Sequence, residues 1–302
     1  MKPPLLILCA TDLSADADLA VTAASDLAKL FGSRLVFVHA VPYPAPAQVL
    51  FPHLVQGTTD RLMAVSRVAA DTVATRVSSL TGRAADDLDI RVDVGAPDEV
   101  IVETAEESGA DLLVIGVAGS DSSGKGLGAT ALRTARHAHC PVLVVRKSPP
   151  KGPILAATDF SDPAEGALSI AALLATQRED PLVVLHAVDY SPILVVPEAF
   201  GPGIPVPVSE EEHQAILKAA SDRLVDALTR LDIKADRLIE EGPPRERIVA
   251  AAEQIEATIL AIGTSGGGGL RRMLLGSVAE DVMRLAPCSV LLVRHPTSGG
   301  KE

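Results

Sequence analysis

The sequence predicts an α/β protein built from two tandem copies of one domain, each an open, five-stranded parallel sheet. Three observations carry this prediction: a pattern that occurs twice, short apolar runs that alternate with helical periods, and an aliphatic composition. Hydrophobic residues make up 47% of the 302 residues, whereas aromatic residues make up 2% and Trp is absent. The core must therefore be built from small and branched aliphatic side chains, as in α/β proteins.

An internal repeat organises the chain. Residues 8–14, Leu-Cys-Ala-Thr-Asp-Leu-Ser, return at 155–161 as Leu-Ala-Ala-Thr-Asp-Phe-Ser, a displacement of 147. Nearer the ends of the copies, Cys140 and Cys288 are 148 apart. One residue is therefore missing from the first copy, between Gly116 and Cys140.

A junction of prolines and glycine separates the two copies. Residues 147–152 read Lys-Ser-Pro-Pro-Lys-Gly, a composition that ends both helices and strands. We therefore predict domains at residues 1–147 and 153–295.

The elements of the second copy follow from its periodicity. Runs rich in Val, Ile and Leu predict strands at 154–157, 182–188, 235–240, 258–263 and 289–294. Stretches of helical period predict helices at 162–177, 209–231, 245–255 and 276–285. Ser209 and Glu212 have the spacing of a capping box at a helix start. This alternation predicts a Rossmann-like parallel sheet, in which ligands bind beyond the carboxyl ends of the strands.

Charge and composition exclude several classes of function. The chain has 27 Lys and Arg against 39 Asp and Glu, a net charge of -12, which disfavours nucleic acids and anionic membranes as partners. No apolar run approaches the roughly 18 residues of a membrane span. Three widely spaced cysteines form no disulfide framework. We expect a soluble, cytoplasmic protein.

A glycine-rich segment in the second copy has the chemistry of a phosphate site. Residues 263–277 read Gly-Thr-Ser-Gly-Gly-Gly-Gly-Leu-Arg-Arg-Met-Leu-Leu-Gly-Ser and lead from a strand into a helix. Glycines let backbone N–H groups face an anion, and a helix start favours negative charge. Ser277 adds a hydroxyl, and Arg271 or Arg272 adds positive charge. A surface loop followed by a Ser-capped helix is the alternative.

This segment resembles the ATP-binding signature of the universal stress protein family. The resemblance rests on the spacing Gly263-x2-Gly266-x9-Gly276-Ser277, followed by similar residues at 274–280 and 286–293. The openings at 157–161 and 187–188 are also similar to the family pattern, so the resemblance covers both copies. It implies a tandem member whose two domains join as a pseudo-dimer, in line with the apolar edge strands predicted at 142–146 and 290–294.

The resemblance further implies a site for ATP or another adenine nucleotide, with or without Mg²⁺, in the second copy. Asp159 would hold the ribose or the base edge, and Val188 would contact adenine through its backbone. The alternative for Asp159 is a cap of the helix that begins near residue 162. The implied binding residues are Ala157, Thr158, Asp159, Val188, Gly263, Gly266, Arg271, Arg272, Gly276, Ser277 and Val278.

The first copy departs from this signature. Counting nine residues on from Gly119 ends at Ala129-Thr130, whereas alignment from Cys140 makes Gly128 the partner of Gly276 with one residue deleted. Asp121 brings a negative charge to the phosphate position. We predict a weaker or lost first site, which retains Asp12, Val41, Gly116, Gly119 and Gly128. A ligand without phosphates, or a different ligand, stays open for this copy.

Three other features have competing interpretations. Residues 119–125 nearly spell a P-loop, but Gly126 stands where a Ser or Thr would hold Mg²⁺. The run 137–140, His-Ala-His-Cys, resembles a metal cluster, but only the Cys recurs in the second copy, so no metal site of protein ligands is predicted. His39 and His186 recur on apolar strands, which indicates a shared packing role.

Apolar, Pro-rich segments at 42–56 and 191–208 follow the second strand of each copy. The second of them, at 191–208, predicts a lid over the nucleotide or an oligomer contact, with packing against its own domain as the alternative.

No Ser-His-Asp, Cys-His or paired-carboxylate arrangement surrounds the glycine loop, so no catalytic residue is predicted. The predicted function is a regulatory, stress-response role through nucleotide occupancy of the second domain. Two alternatives stay open: a slow nucleotide hydrolase or transferase, and an interaction scaffold with both sites silent. Protein partners and homodimerisation are also left open by the sequence.

Overall fold

The computed structural model describes residues 3–42, 58–117, 126–147, 150–189, 209–264 and 275–294. Internal contacts divide the chain into two compact units, the N-terminal unit within residues 2–149 and the C-terminal unit within residues 150–295. The Pro-rich segments from residue 43 and over 191–208 lie outside the described residues. So do the predicted loop positions Gly119, Asp121, Gly266, Arg271 and Arg272.

The N-terminal unit alternates strands with helices. Its strands are β1 (Leu6–Ala10), β2 (Arg34–Val41), β3 (Asp89–Val94), β4 (Leu112–Gly116) and β5 (Val142–Val145). Its helices are α1 (Ala15–Phe31), α2 (Thr58–Thr81), α3 (Pro97–Ser108) and α4 (Ala129–His137), with a 3-10 turn at Ala85–Asp87. The strand order is β3-β2-β1-β4-β5, and each of these neighbouring pairs is parallel.

The C-terminal unit repeats this arrangement. Its strands are β6 (Ile154–Ala157), β7 (Leu182–Val188), β8 (Asp236–Glu241), β9 (Ile259–Gly263) and β10 (Ser289–Val293). Its helices are α5 (Asp162–Arg178), α6 (Glu210–Arg230), α7 (Pro244–Gln254) and α8 (Ser277–Leu285). The order is β8-β7-β6-β9-β10, again with parallel neighbours.

The predicted fold class, two tandem α/β copies with parallel sheets, is confirmed. In the second copy the strands at 154–157 and 182–188 have the predicted bounds, and the other elements differ by one residue at one or both ends. Such differences are within the ordinary uncertainty of where an element ends. The joining of the copies as a pseudo-dimer stays a prediction.

The central strands supply the core of each unit. The side chains of Leu8 and Leu113 in the N-terminal unit, and of Leu155 and Leu260 in the C-terminal unit, are fully buried. Parallel strands covered on both faces need continuous apolar runs, which these strands have. Each buried Leu contributes about 1.5–3 kcal/mol relative to an exposed one.

The strand order places a crevice in each unit. From β1 the chain moves outward through β2 and β3, and then returns to the other side of β1 as β4. The two connections leave the sheet in opposite directions, so the carboxyl ends of β1 and β4 border an open cleft. The ends of β6 and β9 do the same in the C-terminal unit. Among the described residues, no helix has the length and apolarity to cross a membrane.

Candidate functional site

A tight turn follows the first strand of the C-terminal unit. Thr158 Oγ1 accepts a hydrogen bond from the N–H of Phe160 at 3.0 Å, and Asp159 Oδ1 accepts one from the N–H of Ser161 at 3.0 Å. Phe160 has a φ of 63°, which is rare for a bulky residue. Thr and Asp side chains that bond the backbone two residues on favour turns, so here they hold a conformation that Phe160 disfavours.

The N-terminal unit contains the same turn. Thr11 Oγ1 accepts from the N–H of Leu13 at 3.1 Å, Asp12 Oδ1 accepts from the N–H of Ser14 at 3.0 Å, and Leu13 has a φ of 66°. The repeated Thr-Asp-x-Ser sequence therefore encodes one strained turn twice. This turn presents the Asp side chain at the carboxyl end of the strand.

The serines of the two turns differ in their bonds. Ser14 Oγ accepts a hydrogen bond from the N–H of Ala17 and caps α1, whereas Ser161 Oγ donates to Asp159 Oδ1. Ser161 is the N-cap residue of α5. Asp159 is therefore not the cap of this helix, which was the alternative role for Asp159. Its carboxylate is fixed by two hydrogen bonds, from the N–H and from the hydroxyl of Ser161.

A histidine fastens each turn to the second strand. His186 Nδ1 lies 2.8 Å from the backbone oxygen of Thr158, and His39 Nδ1 lies 2.8 Å from that of Thr11. A carbonyl oxygen only accepts, so Nδ1 carries the hydrogen in both rings. Both histidines are half-buried and line a cavity. In addition to the packing role that the sequence predicts, each histidine therefore has a hydrogen-bonding role.

In the C-terminal unit an aromatic stack adjoins this histidine. The ring centroids of Phe160 and His186 are 4.4 Å apart, and Arg223 Cζ lies 4.4 Å from the Phe160 centroid. A guanidinium over an aromatic face is attractive, by roughly 0.5–1 kcal/mol at an exposed site. The N-terminal unit has Leu13 in place of Phe160, and its Arg76 instead pairs with Asp18.

The glycine that ends each fourth strand is required by packing. A Cβ on Gly263 would lie 2.7 Å from the backbone nitrogen of Ala164, and one on Gly116 would lie 2.8 Å from the backbone of Asp16. These distances are too short for carbon, so glycine lets the first helix of each unit approach the strand end. The sequence had given both glycines a phosphate role.

The helix after the glycine-rich segment begins at the cleft. Gly276 is the N-cap of α8 and donates its N–H to the backbone oxygen of Thr264 at 2.6 Å. Gly128 is the N-cap of α4 and donates to Val117 at 2.8 Å. Gly128 is therefore the structural partner of Gly276, in agreement with the alignment from Cys140. Among the described residues, no side chain caps either helix start.

These features enclose a cavity of about 340 Å³ in the C-terminal unit. Seven predicted residues line it: Ala157, Thr158, Asp159, Gly263, Gly276, Ser277 and Val278. The first-turn N–H groups of α8 and the carboxylate of Asp159 thus border one volume. This size falls within the range of small-molecule pockets.

The N-terminal unit has an equivalent cavity of about 530 Å³. The predicted residues Asp12, Gly116 and Gly128 line it, together with Ala129 and Thr130 from the first turn of α4. The described residues of the first copy therefore border a cleft at the position equivalent to the C-terminal cavity.

The predicted valines lie beside the cavities. Val188 does not line the C-terminal cavity, and its backbone oxygen accepts from the N–H of Gly242 at 3.0 Å. Val41 likewise accepts from the N–H of Gly95 at 3.1 Å. The residue before each valine, Ala187 or Ala40, is the one that lines the cavity.

Sequence reasoning missed several residues that line the cavities. Pro244 and Ile248 from α7 and His186 from β7 line the C-terminal cavity, and Arg133 from α4 lines the N-terminal one. The Gly-Pro-Pro sequence at 242–244, which matches Gly-Ala-Pro at 95–97 in the first copy, was a signal for Pro244. Nothing in the local pattern around Arg133 indicated a cavity.

The residues of the rival metal motif have other contacts. His137 Nδ1 bonds the backbone oxygen of Arg133 at 2.8 Å, and His139 Nδ1 lies 3.6 Å from a carboxylate oxygen of Glu106. In the described part of the chain, no group of His, Cys, Asp and Glu side chains has the arrangement of a metal site.

Burial raises the pKa of the Cys9 thiol, so that this cysteine is not a nucleophile.

The fold and its clefts define a class of protein: a tandem α/β protein whose copies each have a ligand-sized cavity at the carboxyl ends of the parallel strands. The universal stress protein family matches the sequence twice, over residues 6–146 and 152–294. The chain belongs to the universal stress protein family and carries two of its domains in tandem.

Individual relatives agree with this assignment. The chain is 32% identical over 194 residues to the universal stress protein Rv2623 of Mycobacterium tuberculosis, a match that spans 62% of this chain and 62% of the relative. It is 35% identical over 142 residues to a universal stress protein of Thermus aquaticus, covering 47% of this chain and 97% of that one.

Solved structures show the same fold. A universal stress protein of Archaeoglobus fulgidus is similar with a TM-score of 0.64 at 19% identity, covering 96% of this chain and 98% of that chain. A universal stress protein of Pseudomonas aeruginosa has a TM-score of 0.64 at 20% identity, with 96% and 93% covered.

Proposed function

We propose that the chain is a regulatory universal stress protein that binds an adenine nucleotide in its C-terminal cavity. The observation that carries this proposal is the convergence of Asp159 and the start of α8 on one cavity of about 340 Å³. A carboxylate fixed at a strand end accepts hydrogen bonds from ribose hydroxyls. A helix start with no side-chain cap among the described residues offers N–H donors to a phosphate.

The charge of the phosphates sets a further requirement. The described residues that line the C-terminal cavity include one acidic residue, Asp159, and no Lys or Arg. They therefore provide no positively charged side chain for the phosphates. We therefore assign neutralisation of the phosphates to Arg271 and Arg272, or to Mg²⁺, in addition to the α8 N–H groups. ATP is the proposed nucleotide, with ADP and AMP as alternatives that differ in this charge.

Calorimetry on two matched variants tests the proposal. Gly276 and Gly128 have φ values of -65° and -66°, which Asp adopts readily at an N-cap. Gly276→Asp places a carboxylate where the phosphates of ATP would lie, and we expect it to weaken ATP binding at least about tenfold. Gly128→Asp, the same change in the other unit, should leave that binding intact. Equal ATP binding by both variants would refute the C-terminal assignment.

The ligand itself is identified by mass spectrometry of small molecules released from freshly purified, denatured protein. We expect an adenine nucleotide. Phosphate release from ATP tests the alternative function, a nucleotide hydrolase. Release over multiple turnovers by the wild-type protein that is abolished in Gly276→Asp would assign hydrolysis, in place of regulation, to the C-terminal cavity. Protease sensitivity that changes with ATP would support nucleotide-dependent regulation.

A further inference from the structure

An ion pair between the third and fourth helices is reversed in sign between the two units. In the N-terminal unit Arg133 Nε of α4 lies 2.8 Å from Asp98 Oδ2 of α3. In the C-terminal unit the acidic partner is on the last helix, where Asp281 Oδ2 of α8 lies 3.4 Å from Arg245 Nη1 of α7. Asp98 and Arg245 are 147 apart and Arg133 and Asp281 are 148 apart, so both pairs occupy equivalent positions of the repeat.

This reversal changes the charge beside the two cavities. Arg133 and Asp12 both line the N-terminal cavity, so that a basic and an acidic residue border one volume. The first turn of α4 contains no acidic residue, whereas that of α8 contains Glu280. The described residues therefore make the N-terminal cavity the more favourable of the two for an anion.

The polar part of the N-terminal cavity otherwise matches its counterpart. The Thr11–Asp12 turn and His39 repeat the bonds that Thr158, Asp159 and His186 make to the backbone. The hydroxyl bond from Ser161 to Asp159 belongs to the C-terminal turn. An arginine has five N–H donors, so one guanidinium can serve both a carboxylate partner and an anionic ligand. The hydrogen bond that Arg133 donates to Asp98 also raises the pKa of Arg133, which keeps its charge.

We propose that Arg133 makes the N-terminal cavity selective for a nucleoside with a single anionic group, such as a nucleoside monophosphate. The proposal rests on the proposed function because it takes the nucleoside parts of the two cavities as equivalent. One arginine that is also paired with Asp98 matches one phosphate better than a triphosphate. The two units would then respond to different members of one ligand class.

Charge reversal tests this inference without removing the ion pair. Asp98→Arg combined with Arg133→Asp gives the N-terminal pair the polarity that the C-terminal unit already has. The full chain carries Gly276→Asp so that the C-terminal cavity is closed to phosphates, and calorimetry compares AMP with adenosine. We expect AMP to bind at least about tenfold more tightly than adenosine, as for a charge-assisted hydrogen bond, and the double reversal to abolish this preference. Adenosine affinity should change less than about twofold.

The equivalent charge reversal in the C-terminal unit should create a preference for AMP instead of removing one. Arg245→Asp with Asp281→Arg, in a chain that carries Gly128→Asp, should raise the preference of the C-terminal cavity for AMP over adenosine. Circular dichroism and the melting temperature establish that each variant is folded.

Two outcomes overturn the inference. One is equal affinity for AMP and adenosine in the Gly276→Asp chain, and the other is an AMP preference that survives the double reversal. Failure of the proposed function is a separate result, since it is equal ATP binding by the Gly276→Asp and Gly128→Asp chains.

Discussion

His186 Nδ1 donates to the backbone oxygen of Thr158 across 2.8 Å, and His39 repeats this bond to Thr11 at the same distance. The second strand of each unit thereby holds the turn that presents Asp159 or Asp12. A bond from a ring to a backbone carbonyl also fixes which nitrogen carries the hydrogen, and leaves Nε2 as an acceptor in the neutral ring. Each cavity is thus bordered by a carboxylate and a histidine of fixed orientation.

Nitrogen NMR tests this arrangement. We expect both His39 and His186 to show the Nδ1–H tautomer at a pH where the rings are neutral, whereas free histidine prefers hydrogen on Nε2. Assignment uses the His39→Gln and His186→Gln variants, each of which removes one set of signals. Signals from Nε2–H in either ring would contradict the bond.

Replacement of Gly263 by Ala tests the close approach of α5 to the end of β9. The new Cβ would lie 2.7 Å from the backbone nitrogen of Ala164, so the helix or the strand must move. We expect a loss of about 1–3 kcal/mol in the free energy of unfolding, measured with denaturant.

Gly126→Ala is the control for Gly263→Ala. A Cβ at Gly126 has no atom within 4 Å among its described surroundings, and this change should be close to neutral. Equal stability of the two variants would show that Gly263 is not required for packing.

The capping box of α6 predicts a stability change in the C-terminal unit. Ser209 Oγ accepts from the N–H of Glu212 at 3.2 Å, and Glu212 Oε2 accepts from the N–H of Ser209 at 2.9 Å. Ser209→Ala should therefore destabilise the protein by about 1 kcal/mol, whereas Ser209→Asp, which keeps a cap, should retain most of the stability. The measurement is a pair of denaturant curves, and equal losses in both variants would argue against the cap.

His213 makes the stability of the C-terminal unit depend on pH. Its Nε2 lies 2.8 Å from Glu241 Oε2, and this hydrogen bond, with the nearby Glu210 charge, raises the His213 pKa above its ordinary 6.5. A raised pKa in the folded state stabilises the protein fully below about pH 6.5, and this contribution is lost as the pH rises through the folded-state pKa. Since the groups are exposed, the effect is modest.

An NMR titration of His213 checks this expectation. Glu241→Gln should lower the His213 pKa toward 6.5 because it removes the first cause of the shift. The stability difference between wild type and His213→Gln should shrink from pH 6 to pH 9. A His213 pKa that Glu241→Gln leaves unchanged would assign the shift to another group.

The sequence by itself determined the duplication, the parallel α/β class and, to within one residue, the element bounds of the second copy. Apolar runs and helical period are local properties of the chain. They survive in the folded state because the central strands are buried between the helices. The repeated Thr-Asp-x-Ser sequence was also visible, although the turn that it forms and the positive φ of Phe160 were not.

Only the tertiary structure decided which side chains meet at a cavity. Pro244 and His186 come from different elements, and whether Val188 or Ala187 faces the cleft depends on how the end of a strand is oriented. The reversed pairs of Asp98 with Arg133 and of Arg245 with Asp281 join helices that are separated by an intervening strand. Contacts of this kind depend on packing in three dimensions, because no local propensity specifies the distance between two helices.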